Sequence, residues 1–502
     1  MDASESRVLW LGLDLGTTNV KALVADRDGV VRGEAARPVA LAAVGDGGVE
    51  QDIEEIWAAT VEAIRGALRG VDAAQVAAIG VSSQGGALQL LDAAGCPVGR
   101  VLSWLDQRAR QDDEALTAEL GRPWFRRHVG HGGSGYAVGQ ILRLRREDPA
   151  RLDPPNRVGF VGDVIVERLC GRAAHDATSA GLTLLLNPAR GDYDTDLLER
   201  LGLARGQLPD LISPREPAGR LRREVAAATG LRPAIPVSAA VHDQYAAALG
   251  TGAVEPGVIM VGAGTAWVLL AVSSHLPALV TDDAFVCSHV VSGLFGEILS
   301  LVNGGSVVSW ALRLIGRGQA GPDQIETMLA SAPPGCDGLS CWPFVTPFGA
   351  SGLEPGTRGR LAGIQLGHTP AHLLRAVVEG LTFELNRHLI FLKQAGLPVD
   401  RLVLGGTVAG SRTTTQMMAD VTGLALDCSA AGGGSVLGAA ILARGLIEPD
   451  RSLAELSQSM RAGPRRVEPG PDAVAYRELF HRYRASLPCS TAPRVRKIGH
   501  TA

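Results

Sequence analysis

Val8-Leu9-Trp10-Leu11-Gly12-Leu13-Asp14-Leu15-Gly16-Thr17-Thr18-Asn19-Val20-Lys21-Ala22-Leu23-Val24 (residues 8–24) sets two apolar runs around a tight Gly-Thr-Thr turn, with a lone acidic residue, Asp14, just before it. Such a stretch folds as a β-hairpin. Gly16 gives the turn access to positive φ and lets a ligand approach the backbone closely. Successive N–H groups at such a turn, with the hydroxyls of Thr17 and Thr18 beside them, can cradle phosphate oxygens. Asp14 at the mouth is suited to hold the magnesium ion that accompanies a nucleotide. The same residues also suit an ordinary hairpin with a solvated Asp. The rest of the chain has to decide.

The pattern recurs. In Val258-Ile259-Met260-Val261-Gly262-Ala263-Gly264-Thr265-Ala266-Trp267-Val268-Leu269-Leu270, Gly264-Thr265 and Val268 stand at a constant offset from Gly16-Thr17 and Val20. A turn with both its strands repeated points to a duplicated unit, with the seam near Ala253–Pro256. The second copy has Gly262 in place of Asp14. That asymmetry argues for a metal-side first copy and a purely phosphate-holding second.

Between the copies, the Asp28-Gly29 turn leads to a third strand. Asp52 and Glu55 are spaced as a capping box before a helix carrying Ile53, Ile56, Trp57, Val61, Ile64 and Leu68. A strand from Val76 to Val81 runs into Ser82-Ser83-Gln84-Gly85-Gly86. Three strands, a helix and a strand describe a mixed sheet covered by helices. Another strand, Ile235–Val241, ends at His242-Asp243-Gln244. Neighbours on a strand point apart, so His242 and Asp243 are expected to diverge. Asp243 also stands where a helix N-cap would. In the second half a long helix starts at Pro370, and the strand Arg401–Leu404 breaks into Gly405-Gly406-Thr407-Val408-Ala409-Gly410-Ser411, a nucleotide-friendly junction. The glycine-rich loop 130–135 has no preceding strand and no following Lys-Ser/Thr, so it is not a P-loop.

A chain of 502 residues exceeds a single core. Its 46% hydrophobic and 20% charged residues are those of a soluble globular protein. A net charge of −4 gives no footprint for nucleic acid or an anionic membrane. No apolar run approaches the ~20 residues that span a bilayer. Asp2, Glu5 and Arg7 do not suit a secretory signal. Seven scattered cysteines, with Cys336 and Cys341 the one close pair, are expected to be reduced thiols of a cytoplasmic protein.

Taken in order, these pieces resemble the FGGY family of carbohydrate kinases, which includes xylulose, gluconate and glycerol kinases. The resemblance rests on DLGTTNVK at 14–21, VEQDIEEIW at 49–57, SWLDQRA at 103–109, HDQYAAALG at 242–250, VGAGTAWVLL at 261–270 and LGGTVAGSRTTTQMMADVTG at 404–423. It implies the duplicated ribonuclease-H-like α/β fold of the actin/hexokinase type, two lobes with ATP in the cleft. The first lobe (1–253) is expected to bind sugar and metal, the second (254–485) the nucleotide, and 486–502 to be a tail.

By the same resemblance Asp243 is the catalytic base and Asp14 the Mg2+ residue. Gly16, Thr17, Thr18, Gly264, Thr265, Gly305, Ser309, Gly406 and Gly410 fall on nucleotide-binding positions. Ser309 stands where glycerol kinases carry Gln. Gln84, Gly85, Gly86, Asp106 and Gln244 fall on sugar-side positions, and Trp267, His131, Ser134 and Tyr136 are candidates to line that pocket. Glycerol kinases follow the matching strand with Gln-Arg-Glu and xylulokinases with Gln-Met-His. Gly85 and Gly86 donate nothing there, which disfavours glycerol and leaves a pentulose or other ketose, a polyol or a sugar acid. His242 replaces the family's usual Gly. The expected activity is ATP-dependent phosphorylation of a sugar hydroxyl, a ketose such as xylulose first, gluconate or a polyol second. The alternative is a sugar- or nucleotide-binding regulator with weakened catalysis. Family dimers and tetramers make a homodimer the assembly to test.

Overall fold

The computed structural model describes residues 8–346, 351–354, 356–429, 433–461 and 463–488. The expected tail therefore lies largely outside the described residues. The opening hairpin is β1 (Leu9–Leu15) and β2 (Asn19–Ala25), followed by β3 (Val31–Pro38), α1 (Ile53–Ala67), β4 (Val76–Ser83), α2 (Val161–Cys170), β5 (Pro236–His242) and α3 (Asp243–Thr251). The strands lie side by side as β3-β2-β1-β4-β5, antiparallel at β1–β2 and β2–β3, parallel at β1–β4 and β4–β5.

The same order follows again. It comprises β6 (Gly257–Ala263), β7 (Trp267–Ser273), β8 (Phe295–Ser300), α4 (Pro370–Gln394), β9 (Val399–Gly405), α5 (Arg412–Thr422), β10 (Leu426–Cys428) and α6 (Gly434–Ile447). These strands run β8-β7-β6-β9-β10 with the same directions. The duplication read from the two hairpins thus extends to a whole βββαβαβα unit. Shorter strands and helices inserted between these elements complete both lobes, and no described helix is long and apolar enough to cross a membrane.

Period-two patterning explains the layering. Leu9, Leu11, Leu13 and Leu15 face one way and join Ile56, Ile64, Val164 and Ile165 in an outer core. Trp10 faces the other way, into a core shared with Val258 and Met260 of the second lobe. Gly12 and Asp14 stand on that inner face by alternation. Local details differ from the expected ones. Asp52 caps α1 through Glu54 N–H, but Glu55 does not close a capping box, because its carboxylate accepts the Ala40 N–H at 2.7 Å. Gly16 is not among the positive-φ glycines. Its smallness matters because a Cβ would sit 2.9 Å from Asn19 O across the turn.

The last helices of the two lobes pack together where the lobes meet. α6 packs on β1 and β4 of the first sheet, while α3 lies between the sheets, against β4 and β5 of the first, β6, β7 and β9 of the second, and α6. The approach is backbone to backbone. A Cβ on Gly12 would lie 2.1 Å from Val436 O, on Gly80 1.8 Å from Ala439 O, and on Gly438 1.8 Å from Ala246 O. Gly438→Ala is therefore expected to destabilise the protein by about 3 kcal/mol or more, since main chain cannot step aside as a side chain would. Thermal or urea unfolding checks this, and an unchanged midpoint would refute the close contact.

Candidate active site

Asp14, near the end of β1, lies level with Lys21 on β2 and Ser82 on β4. Its Oδ1 accepts the Ser82 hydroxyl at 3.0 Å, and its Oδ2 accepts the Ser435 hydroxyl at 2.7 Å from the first turn of α6. Lys21 Nζ stands 4.0 Å from Oδ2. Burial, and then the negative charge of Asp243, push the Asp14 carboxyl above the usual carboxylate range.

Asp243 is the first residue of α3, and its carboxyl is pushed up to about 6, chiefly by desolvation, with its bonds to Gln244 and the charge of Lys21 opposing. The N-cap is His242, whose Nδ1 accepts the Gln244 N–H at 3.3 Å. The cap position expected for Asp243 thus belongs to its neighbour, and the Asp243 side chain keeps 30% of its surface open. His242 and Asp243 do not diverge. The strand ends between them, and the helical turn brings His242 Nε2 to 3.5 Å from Asp243 Oδ1. Burial lowers the His242 imidazole to about 3, so it is neutral.

Two carboxylates, one ammonium group and the N-termini of α3 and α6 thus converge where the lobes meet. Helix N-termini favour anions. On the second lobe, Gly305 N–H bonds Gly264 O at 2.9 Å and Ser306 N–H bonds Thr265 O at 3.0 Å. Gly406, at φ 90°, lies against Ala263 O. These three glycines gather at the end of β6, matching Asp14 and the turn at the end of β1. Family models describe the same division. The N-terminal domain of the FGGY family of carbohydrate kinases matches residues 9–250 and its C-terminal domain matches residues 259–444.

The chain belongs to the FGGY family of carbohydrate kinases.

It is similar to a xylulose kinase of Escherichia coli (strain K12), 28% identical over 96% of this chain and 99% of that protein. It is 30% identical to a glycerol kinase of Trichlorobacter lovleyi, over 90% of this chain and 92% of the relative. A crystal structure of a xyloylose kinase from Brucella ovis superposes with a TM-score of 0.85 at 25% identity, covering 95% of this chain and 98% of the other. This FGGY chain is thus a sugar kinase, an enzyme for which ATP is the expected phosphoryl donor.

Around this FGGY centre the sequence-derived residues separate into groups. Gln84 does face Thr17, whose hydroxyl donates to Gln84 Oε1 at 3.1 Å and accepts the Trp104 indole N–H at 3.0 Å. Gln51 joins them, accepting from Gln84 Nε2 at 2.9 Å and donating to Thr17 O at 2.9 Å. The Thr17 hydroxyl is thereby tied to Gln84 and Trp104. The Gly16 N–H closes the turn on Asn19 O at 3.1 Å, and Thr18 is exposed beside it. Gln244 reaches across the lobes, and a Cβ on Gly262 would meet its Oε1 at 3.2 Å. The space of the missing second carboxylate is the space Gln244 uses. Gly264 and Thr265 are exposed at the cleft. Ser309 is exposed on the helix that begins at Gly305, and Gly410 faces open space.

Four residues expected on the sugar side are engaged within the protein instead. The Asp106 side chain is fully buried, accepting from Val49 N–H, Arg108 and Gln140, with Arg108 bridging to Glu50 at 2.7 Å. It braces the wall and offers sugar no free oxygen. Trp267, 1% exposed, belongs to the second lobe's core. The Ser134 hydroxyl donates to Asp113 at 2.5 Å and His131 stacks on Phe285, so both support the wall. Tyr136 does approach Gly86: its Cδ1 is 2.9 Å from where a Cβ would be, on a backbone held at φ 53°, ψ −118°. Strained backbone of this kind gathers at ligand sites.

Among the described residues, His128, Asp194 and Asp196 also gather as a metal would require. Asp194 there caps a helix and accepts from Asn187 and Leu197 N–H, a structural arrangement apart from the cleft. Sequence reasoning missed Lys21, Ser82, Gln51, Trp104 and Ser435. Lys21 and Ser82 were within reach of a strand-pairing argument from Asp14. Ser435 was not, since 421 positions separate it from its partner.

Proposed function

We propose that this kinase transfers the γ-phosphoryl group of ATP to a hydroxyl of a ketose, xylulose or a related pentulose, with Asp243 as general base. The observation that carries the reading is the Asp243 carboxyl at the N-terminus of α3, open to the cleft and poised at about 6, beside Asp14 and Lys21. A base near that value is ionised at neutral pH yet basic enough to draw the proton from an attacking hydroxyl. The first lobe supplies the sugar side through Gln84, Gln244 and Tyr136. The hairpin turns Gly16–Thr18 and Gly264–Thr265 grip phosphates from opposite lobes, with Gly305, Ser309, Gly406 and Gly410 on the nucleoside side. Lys21 offsets the charge on the phosphates.

The residues also fit a divalent cation. Asp14 is a buried carboxyl raised by a like charge and bordered by two hydroxyls, and a nearby cation would stabilise its ionised form. Magnesium bound with ATP would neutralise charge on the transferring phosphoryl group. Phosphoryl transfer needs little else beyond positioning.

The ketose reading is supported by the likeness to xylulose kinases, while Gly85 and Gly86, which match neither the glycerol kinase nor the xylulokinase pattern, weigh against glycerol. ADP release measured over ketoses, polyols and aldonates tests it. A pentulose preferred over glycerol and gluconate is the expected result, and preference for gluconate or a polyol would replace it. The pH dependence follows from the sign of the shift. The base works ionised, so kcat/KM should hold above about pH 6 and fall tenfold per unit below it through one ionisation. An activity flat down to about pH 4.5 would contradict this.

A further inference from the structure

Gly85 has a physical reason to be glycine. A Cβ there would lie 2.4 Å from His242 Cδ2 and 2.6 Å from His242 Nε2. The imidazole comes from the neighbouring strand, where His242 stands level with Ser83. Its ring cannot easily yield. Nδ1 accepts the Gln244 N–H at 3.3 Å, the Thr178 hydroxyl accepts the His242 backbone N–H at 3.0 Å, and Tyr245 packs edge-on at 6.2 Å.

With Nδ1 engaged as acceptor, the ring proton resides on Nε2. Nε2 lies 3.5 Å from Asp243 Oδ1, too far for a good direct bond, so the donor remains free for a group that also reaches Asp243. Both residues belong to the cleft already described, and the inference rests on that sugar-kinase reading.

We propose that His242 determines sugar specificity by occupying, from β5, the substrate-side position that Gly85 leaves empty on β4, presenting Nε2–H to a sugar hydroxyl held beside Asp243. The recognition group has changed strands. A rigid ring fixed by the backbone replaces a side chain projecting from residue 85, and a donor replaces bare space. The ligand it suits is a polyhydroxylated sugar with an oxygen next to the phosphorylated hydroxyl, where one oxygen meets Nε2–H while its neighbour meets Asp243.

A two-part experiment tests this. Gly85→Ala, His242→Gly and the double variant form a cycle read by thermal unfolding, which needs no substrate. Gly85→Ala is expected to lower the midpoint with His242 present and to cost clearly less in the His242→Gly background, where Leu182 Cβ at 2.9 Å is the remaining close contact. Additive midpoints, or a silent Gly85→Ala alone, would overturn the shared-space claim.

In the second part, His242→Leu and His242→Gln are compared for the KM of the preferred sugar and the KM of ATP. His242→Leu should raise the sugar KM about tenfold or more and leave that of ATP unchanged, as loss of one hydrogen bond to a buried hydroxyl requires. His242→Gln, which keeps a donor, should recover most of the loss. An unchanged sugar KM in His242→Leu, or equal losses in the two variants, would overturn the donor role. Failure of the wild-type protein on every sugar would refute the sugar-kinase reading instead, with the unfolding cycle still deciding the strand exchange.

Discussion

Asp243→Asn is expected to lower kcat for sugar phosphorylation by about 100- to 10,000-fold while ATP still binds. The amide keeps the size and the place at the N-terminus of α3 but cannot take up the hydroxyl proton, and general base catalysis contributes about that much. The loss should fall on kcat, because the sugar contacts proposed for Gln84, Gln244 and Tyr136 would be left in place. Folding should not suffer. The carboxyl is raised by burial, so its ionised form costs stability above the ordinary carboxylate range, and removing it relieves that cost. The check is steady-state kinetics with a nucleotide-binding titration and an unfolding curve on the same protein. Turnover within a few-fold of wild type would remove Asp243 from the role of base.

Asp14→Asn is expected to separate stability from activity in opposite directions. The Asp14 carboxylate is buried and repelled by Asp243, so at neutral pH its ionised form is a liability to the fold. Sign and window follow: the native carboxyl titrates above its unfolded value of 3.8, so stability is greater below that value and falls as pH rises through the native one. Asn retains a carbonyl oxygen for one serine hydroxyl and removes the charge, so the unfolding midpoint should hold or rise at neutral pH. Transfer should fall by about 100- to 1,000-fold, the scale on which a preorganised electrostatic group acts. Raising magnesium should not restore it if the carboxylate itself completes the charge balance. A variant both less stable and fully active would invert both claims.

The fold was legible because it is written twice. The hairpin at 8–24 and its copy at 258–270 carry the same alternation, and a repeat needs no tertiary information to be seen. The glycine turns and the position of Asp243 were legible for a related reason: each lies at a strand end that a hydrophobic run announces. What stayed hidden depends on meetings between distant segments. Asp106 was placed on the sugar side by the family resemblance, and nothing local reveals that Arg108, Gln140 and Val49 N–H fill its oxygens. For His242 and Asp243, strand geometry was carried one residue past the point where the strand ends. That single-residue error turns a convergent pair into a divergent one. Gly85 reads only as lost side-chain chemistry until the ring that fills its space is located.

The placement of the closing helices sets how the chain can be divided. Cutting at the seam near residue 253 would leave the first sheet without α6, and the faces of β1 and β4 around Gly12 and Gly80 would be bare to water. The other piece would keep α6 with no sheet beneath it and lose α3 from its own. Expressed apart, the two halves should each be insoluble or loosely collapsed; produced together, they should reassociate. The repeat that makes the chain look like two proteins joined end to end is therefore, in manufacture and in folding, an obligate pair.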